Sequence, residues 1–239
     1  MKMSFACCGM TCRNNTYQPD ARIPQEQIGQ LYDRLANVYD VWGNLTESRA
    51  RHRALELAAI TDGQNILEVA VGTGLTFREI VKMNPHGCNT GIDLSTGMLA
   101  KAKKRLRKLT GLNYSLSQGT AFDLPAQTAS VDLLVNNYMF DLIAYEDMDK
   151  VLTEFKRVLK HGGRLILINM TEGETTGSRL YDLIYRLSPK TMGGCRGVRL
   201  ASRLERHGFI VETREYCQQM LFPSEIILAR KPANPHRVG

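Results

Sequence analysis

The sequence predicts an α/β fold built around a largely parallel sheet. Three observations predict it. Strand-like and helix-like segments alternate from Asn65 to Met170, two of the strands are almost continuous in apolar residues, and the chain ends in two strands with a short connection. Strands that alternate with helices need crossovers, and crossovers give parallel pairing. Continuous apolar strands at 131–136 and 164–170 suit positions covered on both faces.

The elements follow in order. Residues 1–24 are polar and Cys-rich, without periodicity, and end in Arg22-Ile23-Pro24; they read as a flexible arm. Residues 25–239 read as a single domain whose first part, 25–60, is a helical cap. Ile28, Leu31, Leu35 and Val38 recur at helical spacing, and a second helix is expected from Thr46 to Ile60. Strands are expected at 65–70, 89–93, 113–117, 131–136 and 164–170, with helices at 75–83, 96–108 and 146–160. His161-Gly162-Gly163 reads as a helix stop that turns into the next strand. After a helix at 197–207, segments 209–216 and 225–230 form an antiparallel pair at the sheet edge, with Pro223 in their connection.

Composition narrows the class. Of 239 residues, 43% are hydrophobic and 23% charged, which is ordinary for a globular protein. No apolar run reaches the ~20 residues of a membrane helix. The first residues lack the apolar stretch of a secretory signal. A cytoplasmic enzyme with reduced thiols is therefore expected. Lys101, Lys103, Lys104, Arg105, Arg107 and Lys108 concentrate the net charge of +7. That segment reads as the solvated face of a surface helix, with contact to nucleic acid or an anionic membrane as the sharper reading. Cys7, Cys8 and Cys12 cluster, whereas Cys88, Cys195 and Cys217 are scattered. No Cys/His spacing suggests a metal site.

The chemistry concentrates in Asn65-Ile-Leu-Glu-Val-Ala-Val-Gly-Thr-Gly74, a buried strand running into a turn with Gly72 and Gly74. Such a turn lets a ligand approach bare backbone. Asp93 ends the next apolar run. Arg78 stands where a dinucleotide fingerprint has its third glycine, and Leu75-Thr76 replace the Lys-Ser/Thr of a phosphate loop. A nucleoside cofactor without phosphates fits best.

Glu68-Val-Ala-Val-Gly-Thr-Gly74, Gly91-Ile-Asp-Leu-Ser95, Gly119-Thr-Ala-Phe-Asp-Leu-Pro125 and Arg157-Val-Leu-Lys-His-Gly-Gly163 occur in sequence. Together they resemble the class I S-adenosylmethionine-dependent methyltransferases. Ala70-Val-Gly-Thr-Gly74 and the Tyr32-Asp33…Tyr39-Asp40 opening are similar to the quinone-biosynthesis C-methyltransferase branch. The resemblance implies a Rossmann-like three-layer sandwich with a seven-stranded, mostly parallel sheet and an antiparallel last strand. It implies S-adenosylmethionine as cofactor and S-adenosylhomocysteine as product. Ala70, Gly72, Thr73 and Gly74 would then meet the methionine part, with Glu68 beneath. Asp93 would accept from the ribose hydroxyls, Leu94 and Met98 would pack on adenine, and Thr120 and Ala121 would meet its edge. Asn136 to Tyr138 would sit beside the sulfonium, and Tyr32 and Tyr39 would close a lid. Tyr138, Asp141 and Tyr39 are the candidate catalytic groups, and no metal is expected. Asn169 stands where the quinone branch often has Glu, and His161 departs from its Lys-Pro-Gly-Gly turn.

The expected acceptor is a quinone-precursor ring carbon or a phospholipid amine, and the basic helix suits a peripheral membrane contact. A thiol or arsenite-type methyltransferase using the cysteines is the alternative. A non-catalytic cofactor- or nucleic-acid-binding protein is another. Nucleic acid is disfavoured, because Asn136-Asn-Tyr-Met139 lacks the Asn/Asp-Pro-Pro-Tyr motif. Monomer and homodimer stay equally open.

Overall fold

The computed structural model describes residues 45–171, 196–220 and 222–233. The arm at 1–24, the first cap helix and Tyr32 and Tyr39 with it, and Cys195 lie outside the described residues.

The described elements run α1 (Ser48–Ala58), β1 (Asn65–Val69), α2 (Leu75–Met83), β2 (Cys88–Asp93), α3 (Thr96–Leu106), β3 (Tyr114–Gln118), β4 (Val131–Asn137), a 3-10 turn (Phe140–Leu142), α4 (Tyr145–Val158), β5 (Leu159–Met170), α5 (Ala201–Arg206), β6 (Ile210–Gln219) and β7 (Phe222–Arg230). The strands form one seven-stranded sheet in the order β3-β2-β1-β4-β5-β7-β6. The first five strands pair in parallel. The last strand, β7, runs antiparallel and slots between β5 and β6. The predicted α/β architecture, with its antiparallel pair at one edge, is the one observed.

Alternation along the strands builds both faces. Leu134, Leu165 and Leu167 pack with Val151, Leu152 and Phe155 of α4 and Leu204 of α5. Leu133, Val135, Ile166 and Ile168 pack with Ala50, Ala54 and Ala58 of α1. Phe77 and Val81 of α2 meet Leu99 and Leu106 of α3 in a third cluster. The sheet is thus covered on both sides, as the unbroken apolar runs require.

The larger boundary differences from the sequence reading lie at β5, α5 and β7; Pro223, expected in the connection, sits inside β7 opposite Gln218. Helix α4 ends at Val158, and Leu159 already pairs with Val131 before the register shifts to Leu133 opposite Arg164. Residues 160–163 bulge from that ladder, with Gly162 at a φ of 75°. Lys160 reaches Asp132 at 2.7 Å there. Helix α5 begins at Ala201 rather than 197. The preceding residues are tied to β5 instead: the Val198 amide donates to Met170 and the Asn169 amide group donates to the Val198 carbonyl.

Candidate active site

The chain leaves β1 toward β2 and β3 on one side, and β4 starts the other half of the sheet. A crevice opens at such a reversal of strand order, beyond the carboxyl ends of the strands. Here the cleft is lined from β1 by Val69, Ala70 and Gly72, and from β2 and α3 by Ile92, Asp93, Leu94, Ser95 and Met98. Gly119, Thr120, Ala121 and Phe122 follow β3, and Asn137, Tyr138, Met139, Leu142 and Ile143 follow β4.

The two glycines of the first turn have different jobs. Gly72 has a φ of 54°, and a Cβ built on it meets nothing within 4 Å. Its missing side chain is open space in the cleft. Gly74 has a φ of 79°, but a Cβ there would lie 3.0 Å from Ala102 Cβ and 3.2 Å from Leu106 Cδ1. Gly74 therefore lets α3 pack against the turn and does not line the cleft. Ala70 takes a φ of 61°, the left-handed region that disfavours a side chain.

Asp93 organises the mouth. Its Oδ2 accepts from the Gly72 amide at 2.7 Å and its Oδ1 from the Ser95 amide at 2.9 Å. The carboxylate fixes the first turn to the second strand, with one oxygen on each side of the join. Ser95 Oγ accepts from the Met98 amide and caps α3. Leu94 stays 40% exposed beside this pair, an apolar side chain held over an open cleft. Thr73 does not line the cleft; Arg105 donates to its carbonyl and, at 2.8 Å, to its hydroxyl. One member of the basic run thus braces the glycine turn from behind.

Beneath the turn, Glu68 is buried, and Asn137 donates to its Oε1 at 2.9 Å and to Thr76 Oγ1 at 3.1 Å. Burial pushes the Glu68 carboxyl well above the usual range, while the Asn137 bond opposes the shift. Glu68 Oε2 and Asn137 Oδ1 have no hydrogen-bond partner among the described residues. Asn137 faces the cleft; Asn136 does not. The Asn136 amide group donates to the Val69 carbonyl at 2.9 Å and ties the ends of β1 and β4 together.

Tyr138 lines the cleft with a φ of 49°, and its hydroxyl bonds Ser224 Oγ at 2.8 Å. Burial, helped by the charge of Glu47, pushes its phenol well above the ordinary value. Asp141 is buried in the turn that follows. Burial raises its pKa to about 8, against the nearby amides of Asp141 and Met170. Neither of its oxygens closes a hydrogen bond with a described residue.

No group of three His, Cys, Asp or Glu arranged for a metal exists among the described residues. Neither described free cysteine, Cys88 or Cys217, lines the cleft, and burial raises the Cys217 thiol away from the reactive thiolate. Cys7, Cys8 and Cys12 lie outside the described residues. No described helix is long and apolar enough to cross a membrane.

Strand order and cleft together define a class I methyltransferase architecture. Residues 66–163 match the family model for a methyltransferase domain. Over 166 residues the chain is 31% identical to the demethylmenaquinone methyltransferase of Thermotoga maritima, covering 68% of this chain and 69% of that protein. Over 171 residues it is 31% identical to the ubiquinone/menaquinone biosynthesis C-methyltransferase UbiE of Rhizobium etli, covering 67% and 64%. The crystal structure of the cyclase SpnF shares the fold, with a TM-score of 0.71, 18% identity, and coverage of 91% and 99%. The chain belongs to the class I S-adenosylmethionine-dependent methyltransferases, in the branch of the quinone-biosynthesis C-methyltransferases. Its methyl donor is S-adenosylmethionine.

Proposed function

We propose that this enzyme methylates a ring carbon of a small apolar acceptor of the quinone-precursor type. The observation that carries this reading is the division of the cleft. Its β1–β3 side offers bare backbone at Gly72 and a single carboxylate, Asp93. Its β4 side is a wall of Met139, Leu142 and Ile143, with Phe122 adjoining. No Lys or Arg is among the lining residues, so the described cleft offers no charge partner for a phosphate. That favours a quinone precursor over a phospholipid amine. Both relatives above are named for quinone biosynthesis.

The residues present fit the donor. Gly72 leaves room where a Cβ would project. The Asp93 carboxylate, at the mouth of the cleft, suits the ribose hydroxyls, and Leu94 and Met98 suit an adenine face, with Thr120 and Ala121 at its edge. The unpartnered oxygens of Glu68 and Asn137 suit an ammonium group, as the methionine part carries. Thr73, Gly74 and Asn136 act by shaping the turn and the strand ends. When bound, S-adenosylmethionine supplies a methyl group already activated on a sulfonium. The protein's part is to align the acceptor and exclude water, and alignment can contribute roughly 7–11 kcal/mol. Asp141 sits buried on the turn that builds the acceptor wall, and as pH rises through about 8 its carboxyl becomes able to take the proton the acceptor releases. Tyr138, raised and bonded to Ser224, stays a neutral hydroxyl and shapes the pocket.

Labelled S-adenosylmethionine offered with a polyprenyl naphthoquinol, phosphatidylethanolamine vesicles, a small thiol or arsenite tests the reading. A carbon-methylated naphthoquinol, identified by mass spectrometry, is expected. Label in the phospholipid, thiol or arsenite arm, with none in the quinol, overturns it.

A further inference from the structure

Arg196 is among the largest fully buried side chains, at 1% exposure. A guanidinium out of water requires several partners. Its Nη2 donates to the Ile143 carbonyl at 2.5 Å. Its Nη1 and its own backbone amide both point to the Asp141 carbonyl, each at 3.5 Å. Its plane lies over the Tyr145 ring, 4.4 Å from the centroid. These carbonyls belong to the stretch whose Met139, Leu142 and Ile143 line the cleft. One side of the stretch is the acceptor wall, and the other is gripped by Arg196.

We propose that Arg196 is a positioning residue for the acceptor: it clamps the 139–143 wall from behind and supplies the positive charge that faces Asp141. This inference rests on the acceptor side assigned above. Arg196 is not among the lining residues of the donor side, and its contacts with Asp141, Ile143 and Tyr145 all fall on the stretch behind the acceptor wall. Among the described residues, the groups that face Asp141 are Glu47 before α1, Tyr138 after β4, and Arg196. Glu47 pushes the Asp141 carboxyl up and Arg196 pulls it down. Lysine would keep a charge at this site but not the fork that spans two carbonyls, nor the plane that stacks on a ring.

The test compares the full-length protein with Arg196→Met and Arg196→Lys. S-adenosylhomocysteine affinity is measured by calorimetry. The Asp141 carboxyl is titrated by infrared difference spectroscopy, its band assigned with Asp141→Asn. Acceptor KM and kcat are measured with the naphthoquinol. Both variants are expected to bind S-adenosylhomocysteine within about twofold of wild type and to raise acceptor KM about tenfold, the scale of one lost charge-assisted hydrogen bond. The Asp141 titration is expected near pH 8 in wild type and Arg196→Lys, and higher in Arg196→Met. An unmoved titration in Arg196→Met, or cofactor and acceptor affinities that fall together, would overturn the proposal. Should Arg196→Met fail to fold, an unchanged acceptor KM in Arg196→Lys overturns it equally. If no quinol is methylated by the wild type, the acceptor reading fails, while the infrared and calorimetric arms still decide the clamp.

Discussion

Alanine at Gly72 and alanine at Gly74 should fail in opposite ways. Both positions have left-handed backbone, at φ values of 54° and 79°. Holding an alanine there costs roughly 1–2 kcal/mol. Gly72→Ala incurs little more than that, because its Cβ enters open space. Gly74→Ala must also push Ala102 and Leu106 away from contacts of 3.0 and 3.2 Å. Overpacking of that kind adds about 1–3 kcal/mol. At ~2–4 °C per kcal/mol for a domain of this size, Gly72→Ala should lower Tm by about 2–8 °C and Gly74→Ala by about 4–20 °C. Ligand affinity should show the reverse order. The new methyl of Gly72→Ala projects into the cleft and should weaken S-adenosylhomocysteine by about tenfold or more, or at least ~1.4 kcal/mol. Gly74→Ala, assayed well below its melting point, should stay within about threefold of wild type, because its strain falls on helix packing. Thermal melts and calorimetry on the same samples read both quantities. Intact affinity in Gly72→Ala together with lost affinity in Gly74→Ala would refute the assignment of the two glycines.

Arg105→Ala should weaken the donor about tenfold by releasing the Thr73 turn, while leaving acceptor KM unchanged; equal loss in Arg105→Ala and Lys104→Ala would show a bulk charge effect instead. Asp141 should make stability depend on pH. Its folded pKa of about 8 lies above the unfolded carboxylate value, so its contribution is present in acid and lost as pH rises through about 8. Urea melts at about pH 6 and about pH 9 should therefore diverge in wild type and converge in Asp141→Asn; an identical pH dependence in the two proteins would contradict the burial argument.

Much of this was legible in the sequence because it is written in local pattern. The strands show as apolar runs, and Gly72, Asp93, Leu94 and Met98 stand at fixed offsets from strand ends, so their convergence follows from the topology. The remainder depends on contacts between distant segments. Gly74 looks like a second ligand glycine until α3 lies on it. Asn136 and Asn137 are equivalent letters, and only the pleat sends one to a strand-end clamp and the other to the cleft. Arg105 sits in a uniform basic run, and nothing in that run marks the one member that turns inward to Thr73. Arg196 carries no signal at all, since burial of an arginine is set by the carbonyls and ring it meets. The early start of β5 was hidden by Lys160-His-Gly-Gly163, which reads as a turn but is a bulge inside the ladder.

Calorimetric titration of S-adenosylhomocysteine into wild type and Asp93→Asn tests the central claim most directly. Asparagine keeps the shape but loses the charge and one acceptor oxygen, so it can no longer accept from the Gly72 amide on one oxygen and the Ser95 amide on the other. Wild type should bind, and the variant should bind about tenfold or more weakly while remaining folded by circular dichroism. A folded Asp93→Asn protein with affinity within about twofold of wild type would contradict the account.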